Sequence, residues 1–268
     1  MPSRDRIEVG LFRLSYAAVL AFMLLPLVVV VGTSVTASGT LVFPPEGVTL
    51  RWYGELSDDI RWLAAIENSL IVATGTAALS TVLGVLGAFG LRGIETDATR
   101  YLLPTLLAPL LIPPVVLGIA LLVFLSQLGL YQSYLGIIIA HSLWATPLVF
   151  FIMQSVFSRF DWALRDAGRD LGADPVRNFV HVVFPGVRNG VFIAALIAFI
   201  ISLQEFIMAL FLSGNDTQTI PVLAWTTLRQ SLDPMVSVVS TFLILASTAA
   251  ILVTAALMNL EWLAKRLS

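Results

Sequence analysis

The sequence predicts an all-α integral membrane protein with six transmembrane helices, and three observations carry that reading. Of the 268 residues, 58% are apolar and only 12% are charged, against roughly 45–50% and 25% in soluble domains. Charge-free runs long enough to cross a hydrocarbon layer of about 30 Å recur six times. The basic residues, finally, concentrate in alternate intervals between those runs. The 15 basic residues nearly cancel the 17 acidic ones, and the net charge of −2 excludes a polybasic nucleic-acid binder. With no Cys and only His141 and His181, neither a disulfide framework nor a metal or catalytic centre built on thiolate or histidine is expected.

The spans follow in order. The first covers about residues 14–35. Arg4, Arg6 and Arg13 precede it and Val35-Thr36-Ala37 resembles a cleavage site, but its 22 residues exceed the roughly 7–15 of a secretory signal, so it is expected to stay as a span. The second, about 63–91, has Glu67 near its start and carries Gly84, Gly87 and Gly90, a spacing suited to close helix packing. The third, about 101–127, contains Pro104, Pro109, Pro113 and Pro114; it is either a kinked helix or an unwound gate. No charged residue occurs from Tyr101 to Ser158, and the polar turn from Gln127 to Ser133 makes the third span and the fourth, about 134–157, a helical hairpin. The fifth, about 191–213, holds Glu205 eight residues before its outer end. The sixth covers about 235–260. No internal repeat or low-complexity linker divides the chain, so residues 1–268 are expected to form one membrane domain.

Counting Lys and Arg by side gives 12 on the side of the two termini and residues 92–100 and 158–190, and 3 on the other. Both termini are therefore expected in the cytoplasm. The 33-residue cytoplasmic segment 158–190 has its own helical grammar. Asp161 can cap a first helix whose Ala163, Ala167 and Leu171 recur every four residues, opposite Arg165, Asp166, Arg169 and Asp170. Gly172 stops it. Asp174 caps a second helix with Pro175 at its first position, placing Val176, Phe179, Val180 and Val183 on one face before Pro185-Gly186 ends it.

Within this segment, Asp166-Ala167-Gly168, three residues, Gly172, nine residues, and Val182-Val183-Phe184-Pro185 resemble the signature loop of permease subunits in binding-protein-dependent ABC importers. That pattern reads Glu-Ala-Ala, three residues, Gly, nine residues, Ile-x-Leu-Pro. The spacing agrees at every step, while Asp166, Gly168, Val182 and Phe184 replace Glu, the second Ala, Ile and Leu. The likeness runs from about Asn68 to the C-terminus. It is strongest to the second permease of spermidine/putrescine importers, in Ile112-Pro-Pro-Val-Val-Leu-Gly-Ile119, Ser202-Leu-Gln-Glu-Phe206 and the turn from Ser213-Gly-Asn to Thr219-Ile-Pro-Val222.

The resemblance implies the six-helix fold of type I ABC importer permeases, in the bacterial inner membrane. It also implies two cytoplasmic ATPase subunits, a homologous permease that completes the pathway, and an extracytoplasmic binding protein. The second helix of the loop would lie in a groove on an ATPase, with Val176, Phe179, Val180 and Val183 as anchors. No phosphate-binding loop is present, and the only Lys is Lys265, so ATP and Mg would sit on the partner ATPases and no cofactor on this chain. The implied substrate is a polyamine or related small organic cation, although similar permeases carry ferric ion, sulfate or other solutes.

Ionisable groups at membrane depth are costly and therefore candidates for function. Glu205, with Gln204 beside it, is the leading candidate for the translocation pathway. Asn68 is a second candidate that could equally glue helices by hydrogen bonding, as could Gln154 and His141. An ion-driven secondary transporter would show paired broken helices related by an inverted repeat, and none is evident. A membrane enzyme would need a nucleophile–base pair or metal cluster at one depth, which the sequence does not offer.

Overall fold

The computed structural model describes residues 2–92 and 99–267. Regular structure among them is helical: α1 (Pro2–Ser34), α2 (Arg51–Leu56), α3 (Ile60–Leu91), α4 (Thr99–Leu111), α5 (Pro114–Gln127), α6 (Tyr134–Ser158), α7 (Trp162–Asp170), α8 (Pro175–Asn178), α9 (Phe184–Gln204), α10 (Ile207–Leu212), α11 (Ile220–Gln230) and α12 (Pro234–Leu267). Among the described residues five helical stretches are long and apolar enough to cross a membrane, and the pair α4–α5, bent by 102°, makes six when counted as one span.

The chain divides into two compact units, Met1–Leu63 with Ala224–Thr248, and Ala64–Leu223 with Ala249–Ser268. In the first unit, Thr33 and Ser237 hydroxyls meet at 2.9 Å, Ser34 Oγ lies 2.8 Å from Tyr53 Oη, and the Tyr53 ring packs edge-on against Phe242. Hydroxyl pairs of this kind hold helices together in lipid, where apolar side chains gain nothing by leaving the solvent. The outward residues of α1, among them Phe12, Phe22 and Met23, are exposed.

The second unit has two apolar cores. In one, Val85 and Ala88 of α3 meet Ala145, Val149, Phe150, Met153 and Phe157 of α6, and Val187, Ala194 and Ala198 of α9. The expected glycine packing accounts for part of it. A Cβ on Gly84 would stand 2.5 Å from Val149 Cγ1, and one on Gly87 would touch the Phe150 ring, whereas Gly90 has open space. In the other, Leu117, Leu121 and Leu125 of α5 pack with Met208, Ala209 and Leu212 of α10 and with Ile137 and Ala140 of α6. The turn after α5 ties these halves together, since Gln132 N–H donates to Leu212 O at 3.0 Å.

Two expected boundaries differ from the structure, and the third span takes the broken one of its two expected forms. The third span is two helices. Pro113 adopts extended backbone (φ −55°, ψ 132°), as a residue before proline prefers, and Pro114 restarts the helix at the first position, where a missing N–H costs nothing. The fifth span is likewise broken: α9 ends at Gln204, Glu205 is extended (φ −69°, ψ 126°), and α10 begins two residues later. Pro185-Gly186, by contrast, does not end the helix begun at Pro175. Phe179–Val183 forms a π-helical turn leading into α9, and Pro185 falls in the first turn after it, where its ring and absent N–H are tolerated. The helix from Pro175 to Gln204 therefore enters the membrane without a stop.

Candidate functional site

The segment 158–190 is built largely as its sequence directs. Asp161 accepts a hydrogen bond from Ala163 N–H, and Asp174 accepts from the N–H groups of Val176 and Arg177 at 3.0 and 2.9 Å. Each carboxylate thereby satisfies amides that a helix start leaves unpaired. Gly172 takes φ +86° and donates to Arg169 O, the left-handed C-terminal turn that glycine adopts without steric cost.

The face that α7 packs is not the predicted one. Trp162, Arg165 and Gly168 turn inward, while Ala163 and Ala167 are exposed and Leu171 is 89% exposed. The cause lies outside the local period: Trp162 stacks under Arg92, donates Nε1–H to Phe157 O, and meets the rings of Phe89, Phe157 and Phe160. Gly168 lies against Asn178, whose side chain would stand 3.0–3.3 Å from an added Cβ. Asn178 was not singled out by its sequence. It is buried, and its Nδ2–H bonds Arg165 O at 2.7 Å, fastening α8 to α7.

The four expected anchors separate into two pairs. Val176 is 73% exposed and Val180 is also open to a partner. Val183 is 1% exposed and belongs to the core, and Phe179 packs edge-on against Phe89 at 4.9 Å. As groove anchors Phe179 and Val183 are therefore corrected: they hold the segment to its own spans. Leu164 and Leu171 join Val176 and Val180 as outward apolar side chains. Asp166 and Asp174 are exposed, the latter engaged in capping, and Pro185 is exposed in the first turn of α9.

The break in the fifth span is organised around Glu205. Its Oε1 and Oε2 accept from the N–H groups of Met208 and Ala209, both at 3.0 Å, capping α10. His141 Nε2 of α6 lies 3.1 Å from Glu205 Oε2, without the alignment of a hydrogen bond. His141 Nδ1 is 2.8 Å from Ser202 Oγ, which donates to Thr76 Oγ1 at 3.2 Å. Thr76 of α3, His141 of α6, Ser202 of α9 and Glu205 of the break thus converge on one buried line, and the Glu205 side chain is only 7% exposed. Gln204 beside it is exposed.

Asn68 stands apart from this line. Its Nδ2 donates to Asp216 O and Gln218 O, and its Oδ1 accepts from Tyr134 Oη at 2.6 Å. Ser69 Oγ accepts from Ile220 N–H. The amide is fully used in pinning the turn between α10 and α11, the gluing role that its sequence position left open. Glu67 is exposed on α3.

Residues 80–268 match the family described as binding-protein-dependent transport system inner membrane component. The chain belongs to this family. It is a multi-pass inner-membrane permease subunit of an ABC importer. Among similar proteins, the putrescine transport system permease protein PotI of Escherichia coli K12 is 29% identical over 235 residues, covering 83% of this chain and 82% of the relative. The spermidine/putrescine transport system permease protein PotC of the same strain is 23% identical over 235 residues, covering 88% and 89%. The trehalose transport system permease protein SugB of Mycobacterium tuberculosis is 27% identical over 191 residues, covering 71% and 69%. In three dimensions the permease resembles a chain of a bacterial ABC transporter that imports the acidic polysaccharide alginate. There the TM-score is 0.75 at 17% identity, over 95% of this chain and 96% of that one, and it shows the type I permease fold.

Proposed function

We propose that the chain forms half of the translocation pathway for a polyamine or a related small organic cation. A homologous permease completes that pathway, an extracytoplasmic binding protein delivers the substrate, and two cytoplasmic ATPases drive it. ATP and Mg are held by those ATPases, and this chain performs no bond chemistry. Both termini lie in the cytoplasm, which puts segment 158–190 where the ATPases are.

The single observation that carries the coupling role is the outward apolar set Leu164, Leu171, Val176 and Val180 on a segment folded by its own caps. Such side chains anchor a helix in a partner's groove. The polyamine reading is supported by PotI and PotC, which match this chain over more than four fifths of its length. Glu205 and Gln204 at the broken span suit it chemically. An ammonium group passing there would compete with His141 for the carboxylate in a medium where Coulomb terms are large.

One observation favours a second reading, a neutral solute. The Glu205 carboxylate is already engaged by two amides and by His141, and SugB is a relative named for trehalose. Uptake of labelled putrescine, spermidine and trehalose by cells carrying the complete transporter separates the two. The proposal expects polyamine accumulation that trehalose does not inhibit; trehalose uptake without polyamine uptake would replace it with the second reading.

A further inference from the structure

A cavity of about 480 Å³ lies where α3 and α6 end, lined by Ala88, Leu91, Arg92, Gln154, Phe157 and Ser158. Its wall is half alkyl and aromatic and half polar, unlike the apolar cavity lined by Leu79, Leu83 and Pro109 deeper in the same unit. Arg92 is held at its rim rather than left to wander. The guanidinium lies 3.5 Å from the centre of the Trp162 ring, and its Nη1 donates to Phe157 O at 2.7 Å. Arg165, with Cζ 5.7 Å from the same ring, brings a second fixed positive charge to the cluster.

No carboxylate among the described residues pairs with either arginine. Burial, and then the like charge of Arg165, lower the pKa of Arg92 from its ordinary value. Arg92 in the lining of a half-apolar hollow, with Arg165 near the Trp162 ring that Arg92 stacks on, suits an anion carrying an apolar body. In the orientation proposed above, this hollow opens at the cytoplasmic leaflet, where anionic phospholipids are concentrated and where basic pockets between spans take their headgroups. The planar fork of arginine suits the two free oxygens of a phosphodiester.

We propose that this cavity binds the headgroup of an anionic phospholipid, with Arg92 and Arg165 on the phosphate, Gln154 and Ser158 on the polar headgroup, and Leu91 against the first acyl carbons. Trp162 and Arg165 belong to α7, so an occupied site braces the coupling segment against the ends of α3 and α6. The lipid thereby becomes part of the surface through which closure of the ATPases is transmitted.

The test uses the complete transporter purified in detergent and incubated with phosphatidylglycerol or phosphatidylcholine. Lipid retained is read by native mass spectrometry for the wild type, Arg92→Gln, Arg165→Gln and the double variant. Retention of phosphatidylglycerol over phosphatidylcholine should weaken by about fivefold for each arginine removed, at unchanged complex yield. Inorganic phosphate at the same free concentration should not displace the lipid. Equal retention by wild type and double variant, no preference for the anionic lipid, or displacement by inorganic phosphate alone would each overturn the assignment. Because no substrate enters the experiment, its outcome is independent of whether the transported solute is a cation. Gln154→Leu is a milder second variant: it leaves both charges in place and should reduce retention less than either arginine change.

Discussion

His141 Nε2 stands 3.1 Å from Glu205 Oε2 at the point where the fifth span loses its helix. The contact joins α6 to the start of α10, and the same carboxylate caps α10 through Met208 and Ala209. Glu205 is therefore both an ionisable group at depth and the reason that a six-residue helix can begin there.

Removing one partner of a buried polar contact so that the other is left unsatisfied costs about 1–3 kcal/mol, whereas removing both costs less. His141→Leu should accordingly lower the thermal midpoint of the purified complex more than Glu205→Gln, which keeps an acceptor for one of the two amides. The double variant should be more stable than the sum of the single losses. A double-mutant cycle on thermal unfolding measures this coupling, and strict additivity would mean that the two residues do not act as a pair.

The division of the coupling anchors gives opposite phenotypes to neighbouring substitutions. Val176→Asp puts a charge on an exposed position, so the permease should remain folded while the ATPases co-purify poorly. Phe179→Asp removes the ring that packs on Phe89 and sets a carboxylate at a half-buried position against the apolar core, and it should deplete the permease from the membrane. Membrane abundance and ATPase recovery, measured together, separate the two.

Gly172 sits at φ +86°. Gly172→Ala should cost roughly 1 kcal/mol, and a β-branched Val more, while Asn, which tolerates the left-handed region, should cost less. The order Gly, Asn, Ala, Val in coupled ATP hydrolysis at matched abundance is the expected readout.

Span positions were legible because lipid as solvent demands long charge-free runs, and caps were legible because Asp161, Asp174 and Gly172 bond backbone groups two or three residues away. The breaks were partly legible. Pro113-Pro114 announced a fault in the third span, but nothing beside Glu205 carries proline or glycine; its carboxylate caps α10 through Met208 and Ala209 and meets His141, 64 residues distant in sequence. The inward face of α7 and the partial burial of Phe179 depend on Phe89 of α3 and on Arg92 just after it, which no local period contains. Asn68 was visible as a polar residue at depth. That its amide pins Asp216 and Gln218 required the fold.

Orientation follows from cysteine labelling, uncomplicated by native thiols. Asn178 is buried and a poor site, so exposed Thr40 and Asp170 are the better positions. Thr40→Cys should react with an impermeant maleimide in intact spheroplasts, and Asp170→Cys only after the membrane is opened. The reverse pattern would place the coupling segment outside.

The central claim, that this permease moves an organic cation by energy drawn from partner ATPases, is tested most directly in proteoliposomes carrying the complete complex with its binding protein outside. ATP sealed on the side of segment 158–190 should drive accumulation of labelled putrescine, and Val176→Asp at equal incorporation should abolish most of it. Accumulation driven by an ion gradient without ATP, or ATP-dependent uptake untouched by Val176→Asp, would contradict the account.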